Sequence, residues 1–115
     1  MMQDCVFCKI VKKEIPAEIV YEDEHVMAFK DIHPAAPVHI LLIPKKHIST
    51  FFDLTDEDVS IIGRVQLAAA RVAKQLNLEE KGFRLVSNCK EDAGQLIFHI
   101  HYHLLGGRAL QWPPG

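Results

Sequence analysis

From residue 97 to 105 the chain reads IFHIHYHLL, with histidine at 99, 101 and 103 and an apolar or aromatic residue between each pair. Side chains of an extended strand alternate between faces. The spacing therefore predicts three imidazoles projecting together, about 7 Å apart, with Phe98, Ile100, Tyr102 and Leu104 on the opposite face. On a helix the same positions would be spread around the barrel. A strand over 97–105 and a shared task for the three rings follow. A lone strand histidine is usually solvated or satisfied within a core, but three in alternation against an apolar back are seldom idle. A metal site is the main functional rival. The segment has no Asp or Glu to complete a catalytic one, although the N-terminal cysteines could contribute.

The rest of the chain predicts a frame for that strand. Residues 5–13 (CVFCKIVKK) read as a short helix, ended before Pro16. Strand formers at 19–21 and 25–31 flank Glu22-Asp23-Glu24, a hairpin turn in preference to a metal site. Residues 38–43 (VHILLI), bounded by Pro37 and Pro44, read as a central strand buried on both faces. Thr55 and Asp58 form a capping-box-like pair before Val59, Ile62, Val65, Ala69, Val72, Ala73 and Leu76, which recur at helical spacing; the long helix is placed at 56–76. A fourth strand follows at 83–88. These elements predict an α+β fold: a mostly antiparallel five-stranded sheet, one long helix over one face, a short N-terminal helix, and the other face or an edge left for a ligand or partner.

Length and charge narrow the function. At 115 residues the chain predicts a single domain over 1–115 with an irregular tail from about 106. Thirteen Lys and Arg against 15 Asp and Glu, net charge −2, lack the basic excess of a nucleic-acid binder. No apolar run nears the roughly 20 residues of a membrane span. Residues 1–13 carry Asp4, Lys9, Lys12 and Lys13 and do not read as a secretion signal. Three cysteines are too few for a disulfide-stapled domain, which points to the reducing cytoplasm. Cys5-x-x-Cys8 has the gap that lets two thiolates reach one zinc, yet a redox pair or two incidental thiols fit the spacing as well. No strand–CxxC–helix context favours the redox reading.

His99-x-His101-x-His103, two apolar residues and Gly106-Gly107-Arg108 resemble the histidine triad of the HIT superfamily. Further segments resemble its histidine-triad nucleotide-binding (Hint) branch. They include Ile15-Pro16, Ala28-Phe29, Asp31-Ile32, the run from Ile43 to Ser49, Ala93-Gly94-Gln95 and the ending Trp112-Pro113-Pro114-Gly115. The resemblance spans essentially the whole chain. It implies a HIT-like fold and a purine nucleoside phosphoramidase, a nucleotidyl hydrolase acting on the α-phosphate of AMP or GMP derivatives. His101 would be the nucleophile, forming a nucleotidyl-histidine that water hydrolyses; His103 would donate to a phosphate oxygen, and His99 would orient the nucleophile. His39, otherwise a candidate for a satisfied core histidine, matches a further active-site histidine. Asp31 matches the carboxylate that binds the ribose hydroxyls. Val6, Phe7, Ile10, Phe29 and Ile32 resemble the apolar slot around the base, and Asn88 with the Gly94-Gln95 backbone the phosphate-side contacts. Without the resemblance these positions would read as plain core and loop.

The same resemblance implies a structural zinc held by Cys5, Cys8, His47 and His99. That role for His99 is favoured over a freely titrating catalytic one, with an effect on His101 through its ligation. It also implies a homodimer whose tail, with Trp112, reaches the neighbouring subunit's site. One departure stands out: many Hint members carry serine after Gly-Gln where this chain has Leu96, which lacks a hydroxyl to assist the leaving group. The alternatives are a nucleotide-binding regulatory module with little turnover, a diadenosine polyphosphate hydrolase, which the Trp-Pro-Pro-Gly ending disfavours, and a zinc-dependent interaction domain. Cys89 matches nothing, and Lys45 and Lys46 read as a solvated pair.

Overall fold

Alternate residues along the central strands divide their side chains between two packed layers. In the computed structural model, which describes residues 4–115, β1 (Ile19–Glu22), β2 (Val26–Lys30), β3 (Val38–Pro44), β4 (Phe83–Val86) and β5 (Tyr102–Gly106) form one antiparallel sheet in the order β1-β2-β3-β5-β4. Residues 1–3, the start of the stretch read as lacking a secretion signal, lie outside the described residues. Val26 and Ala28, Ile40 and Leu42, and Tyr102 and Leu104 share one face. They pack against Val65, Ala68, Ala69, Val72 and Ala73 of the long helix α2 (Val59–Gln75). Three alanines in that stripe bring the helix close to the sheet, and each fully buried Val or Leu contributes about 1.5–3 kcal/mol. Met27, Phe29, Leu41 and Ile43 face the other way, against Cys5, Phe7, Cys8 and Ile10 of the short helix α1 (Val6–Val11) and its N-cap. This second layer covers only part of its face.

The five strands, the hairpin and both helices agree with the sequence reading. At the turn, Asp23 Oδ1 accepts from the backbone N–H groups of His25 and Val26, both at 2.8 Å. The Thr55 N–H donates to Asp58 Oδ2 at 2.9 Å, in a 3₁₀ turn (Asp56–Asp58) that leads into α2. The predicted stripe fails only at its start: Val59 is 70% exposed and Ile62 half-buried, and neither joins the core between α2 and the sheet. Lys45 and Lys46 are not merely solvated. Lys45 reaches Glu22 at 2.7 Å and Lys46 reaches the buried Asp58 at 2.6 Å.

The fifth strand is shorter than its periodicity predicts. Only Tyr102–Gly106 pairs with β3 and β4; residues 97–101 leave the sheet, and the N–H of Ile100 donates instead to the carbonyl of Ile48 at 2.6 Å. The detour carries His99 over to the Cys5–Cys8 turn. Ile100 stays buried, but Phe98, expected in the apolar face, is 48% exposed. β4 likewise ends at Val86, short of residue 88. The tail is anchored: Arg84 donates to the carbonyl of Gln111 at 2.9 Å, and its guanidinium lies 5.9 Å from the centre of the exposed Trp112 ring.

Candidate functional site

Three histidine rings meet where β3 and β5 adjoin, and their hydrogen bonds decide which nitrogens carry protons. Nδ1 of His39 lies 3.0 Å from the N–H of Ala35, which can only donate. The proton of a neutral His39 therefore sits on Nε2, which donates to Nδ1 of His103 at 2.9 Å. His103 in turn carries its proton on Nε2. Asp31 Oδ2 stands 3.4 Å from the same His39 nitrogen, while its Oδ1 accepts the N–H of His33 at 2.7 Å. In His101 the order is reversed. Its Nδ1 lies 2.8 Å from the carbonyl oxygen of His99, an acceptor, so Nδ1 holds the proton and Nε2 keeps a bare lone pair. The Ser87 hydroxyl donates to the main-chain carbonyl of His101 at 2.7 Å and fixes the same residue from its other side.

Burial favours the neutral form of His101 and His103. It lowers the pKa of His101, and it takes His103 down to about 4, helped by the adjoining His101 and His39. The His101 and His103 ring centres are 5.2 Å apart, and the edge of Phe7 meets His101 at 5.1 Å.

Both rings open into a cavity of about 530 Å³, within the ordinary range for a small-molecule site. Its wall includes Val6, Phe7, Ile10, Phe29, Asp31, Ile32, Asn88 and Gly94, so most of the residues read as a nucleotide site are brought together. His39 stands behind His103. Gln95 is the exception. Its buried side chain accepts the N–H of Lys90 and donates to the carbonyls of Ser49 and Ile97, clamping the loop around α3 (Lys90–Ala93). Gly94 closes that loop at φ +81°, a conformation that favours glycine. A wider hollow of about 600 Å³ beside Lys46 is lined by Asp53, Asp56, Glu57 and Asp58, and those carboxylates disfavour a phosphate.

The third triad histidine does not face the cavity, contrary to the expectation of one row of rings. The Nδ1 of His99 lies 3.4 Å from Cys5 Sγ and 3.6 Å from Cys8 Sγ, while its Nε2 donates to the carbonyl of Pro44 at 2.8 Å. Its ring is turned toward the thiols, and its hydrogen bond to His101 runs through the main-chain carbonyl. His47 Nδ1 is 3.3 Å from Cys8 Sγ, with its Nε2 3.2 Å from the Ser49 hydroxyl. The four donor atoms of Cys5, Cys8, His47 and His99 all lie within 4.8 Å of one another. In a tetrahedral zinc site a sulfur–nitrogen edge is about 3.5 Å, which these separations match. The outer nitrogen of each ring is held by an oxygen, as metal-binding histidines require. Without a cation, burial and the neighbouring Cys5 push the Cys8 thiol up to about 11. The quartet fits zinc.

Sequence reasoning missed Ser87 and the main-chain groups of Ala35, Pro44 and His99. A backbone donor or acceptor leaves no signature in residue type, and a serine at a strand end reads as ordinary.

The HIT domain pattern matches residues 12–110. The 14 kDa zinc-binding protein of Brassica juncea is 49% identical over 114 residues, covering 97% of this chain and 100% of that protein. The purine nucleoside phosphoramidase of Escherichia coli K12 is 46% identical over 110 residues, covering 96% of this chain and 92% of the relative. A crystal structure of a HIT family hydrolase from Legionella pneumophila superposes with a TM-score of 0.95 at 49% identity, covering 97% of this chain and 100% of that one. With this sheet, this histidine cluster and these likenesses, the chain belongs to the HIT family.

Proposed function

We propose that the protein hydrolyses the phosphorus–nitrogen bond of purine nucleoside 5′-phosphoramidates. The carrying observation is the bare Nε2 of His101, held by the His99 carbonyl at the wall of a cavity of nucleotide size. That lone pair attacks the α-phosphorus. The P–N bond breaks, its electron pair stays on the departing nitrogen, and that nitrogen takes a proton from solvent. His103 donates its Nε2 proton to a phosphoryl oxygen and stabilises the charge that develops there. Water then attacks phosphorus, the bond to Nε2 breaks, and the nucleoside monophosphate leaves. Asp31 accepts from the ribose hydroxyls, Val6, Phe7, Ile10, Phe29 and Ile32 enclose the base, and Asn88 with the Gly94 main chain faces the phosphate. The 46% identical phosphoramidase supports this reading. It is tested by single-turnover trapping: a nucleotidyl adduct seen by intact mass on the wild type and lost in His101→Gly. A wild type that cleaves AMP phosphoramidate without any adduct overturns the covalent route.

The 90% exposed Leu96, standing where a hydroxyl would assist, favours a second reading: a module that binds nucleotide with little turnover. Binding without adduct formation or cleavage would decide for it. Zinc at Cys5, Cys8, His47 and His99 has a structural role in either case, tying α1 to the loops after β3 and before β5. The zinc-binding relative supports this. The exposed stripe of Val59, Gly63 and Leu67 along α2 supports a homodimer, with the Trp112 tail near the neighbour's site. A monomer mass in light scattering at micromolar concentration would refute it. Three free cysteines support a reducing, cytoplasmic setting, and no described helix is long and apolar enough to cross a membrane.

A further inference from the structure

A second cavity, of about 350 Å³, adjoins the nucleotide cavity and shares with it the side chains of Val6, Leu96 and Ile97. Where the two meet, the chain exposes apolar surface that its core does not need. Leu96 is 90% exposed, Phe98 48% and Val6 43%. Phe98 and Asp4 line only the second cavity. Leu96 thus stands at the junction, with Gly94, Asn88 and the two reactive histidines on one side and Phe98 on the other. Exposed apolar side chains gathered at the rim of a polar site mark a surface that a ligand covers.

We propose that this second cavity is the subsite for the leaving amine, and that it selects amines bearing an apolar alkyl or aryl substituent. The inference rests on the phosphoramidase reading above and deepens it. Base and ribose fill the first cavity, and the α-phosphorus sits against His101. When the P–N bond breaks, the departing nitrogen keeps the electron pair and takes a solvent proton. Its substituent passes over Leu96 and lies against Ile97 and Phe98. A serine at 96 would address the nitrogen itself; a leucine addresses what the nitrogen carries. Asp4 adds a negative charge at the second cavity, so a substituent ending in a free carboxylate is repelled and a neutral amide is accepted.

Three AMP phosphoramidates test this, made with glycinamide, phenylalaninamide and phenylalanine. The first two amines are similar in basicity and differ in apolar surface. The last two differ in the carboxylate and in basicity, so the effect of charge is read as the narrowing of their difference in Asp4→Asn. The wild type should show kcat/KM about tenfold higher for phenylalaninamide than for glycinamide, a discrimination ordinary for an apolar subsite. Phenylalanine should fall below phenylalaninamide. In Phe98→Ala and Phe98→Asp the phenylalaninamide-to-glycinamide ratio should drop toward one, and Phe98→Leu should keep most of it. Because Phe98 is half exposed, these variants are expected to fold. A wild-type ratio near one, or a ratio unmoved in Phe98→Asp, overturns the subsite while leaving the phosphoramidase reading intact. Failure to cleave even the glycinamide compound overturns both.

Discussion

The carbonyl oxygen of His99 stands 2.8 Å from Nδ1 of His101, and the ring of the same His99 points its Nδ1 into the Cys5–Cys8 pair. One residue thus joins the thiol corner to the proposed nucleophile, through its backbone on one side and its imidazole on the other.

That link makes His101 the least replaceable position. His101→Gly removes the attacking nitrogen, and turnover of AMP phosphoramidate is expected to fall by about 10⁴-fold, with nucleotide affinity changed far less. His103→Ala leaves the attacking nitrogen but removes a donor to the phosphoryl oxygens, so a smaller loss of about 10²-fold is expected. Steady-state kinetics paired with calorimetric AMP binding separates the two effects.

Titration of His103 should appear in stability. Its folded pKa is about 4 against an ordinary 6.5. Between those values the unfolded chain binds more protons than the folded one, so stability is full above pH 6.5 and falls as pH drops toward 4. Urea unfolding at pH 7 and pH 5 should show a smaller pH-dependent loss in His103→Gln than in the wild type. Comparing the two proteins cancels effects of acid on the thiol corner.

Metal removal should loosen the N-terminal layer. Chelation, or Cys8→Ser, is expected to lower the free energy of unfolding by about 3 kcal/mol, the linkage expected at a hundredfold excess of metal over its dissociation constant. Elemental analysis of protein purified without chelator should find close to one zinc per chain, and a content far below that, with handling losses controlled, defeats the assignment.

At Gln95 the expectation concerns the loop. Gln95→Ala removes three hydrogen bonds that join Lys90, Ser49 and Ile97. A loss of about 2–3 kcal/mol in stability, with weakened phosphate binding, should follow and can be read by thermal melting and AMP titration.

Leu96→Ser should raise turnover of AMP phosphoramidate by about tenfold, since a hydroxyl can bond the phosphate or the departing nitrogen and leucine can do neither. Unchanged kinetics would mean that no group at this position assists the chemistry.

Much of this was legible because apolar runs and period-3.6 patterns are consequences of burial. The near-continuous apolar runs from Val26 to Phe29 and from Val38 to Ile43 mark strands buried on both faces, and the helical spacing from Val65 to Ala73 marks the helix that covers one of them. The tetrad of Cys5, Cys8, His47 and His99 and most of the nucleotide wall followed from resemblance, and the fold brings each set together. The end of the fifth strand was illegible. His99 and His101 keep the strand period, but the pull that takes residues 97–101 out of the sheet comes from Ile48 and the Cys5–Cys8 turn, about 50 and 90 positions away in the chain. The clamp made by the Gln95 side chain was illegible for a related reason, since nothing local shows that a buried amide is satisfied by three main-chain groups.

In β3, residues of opposite vocation stand shoulder to shoulder. His39 and Leu41 serve the ligand side, whereas Ile40 and Leu42 serve the helix side. A point replacement disturbs one tenant, but deletion of a single residue would exchange them all, driving an imidazole into oil and a leucine into the reaction chamber. This ribbon should therefore drift freely by substitution among distant cousins and scarcely ever by gain or loss of length.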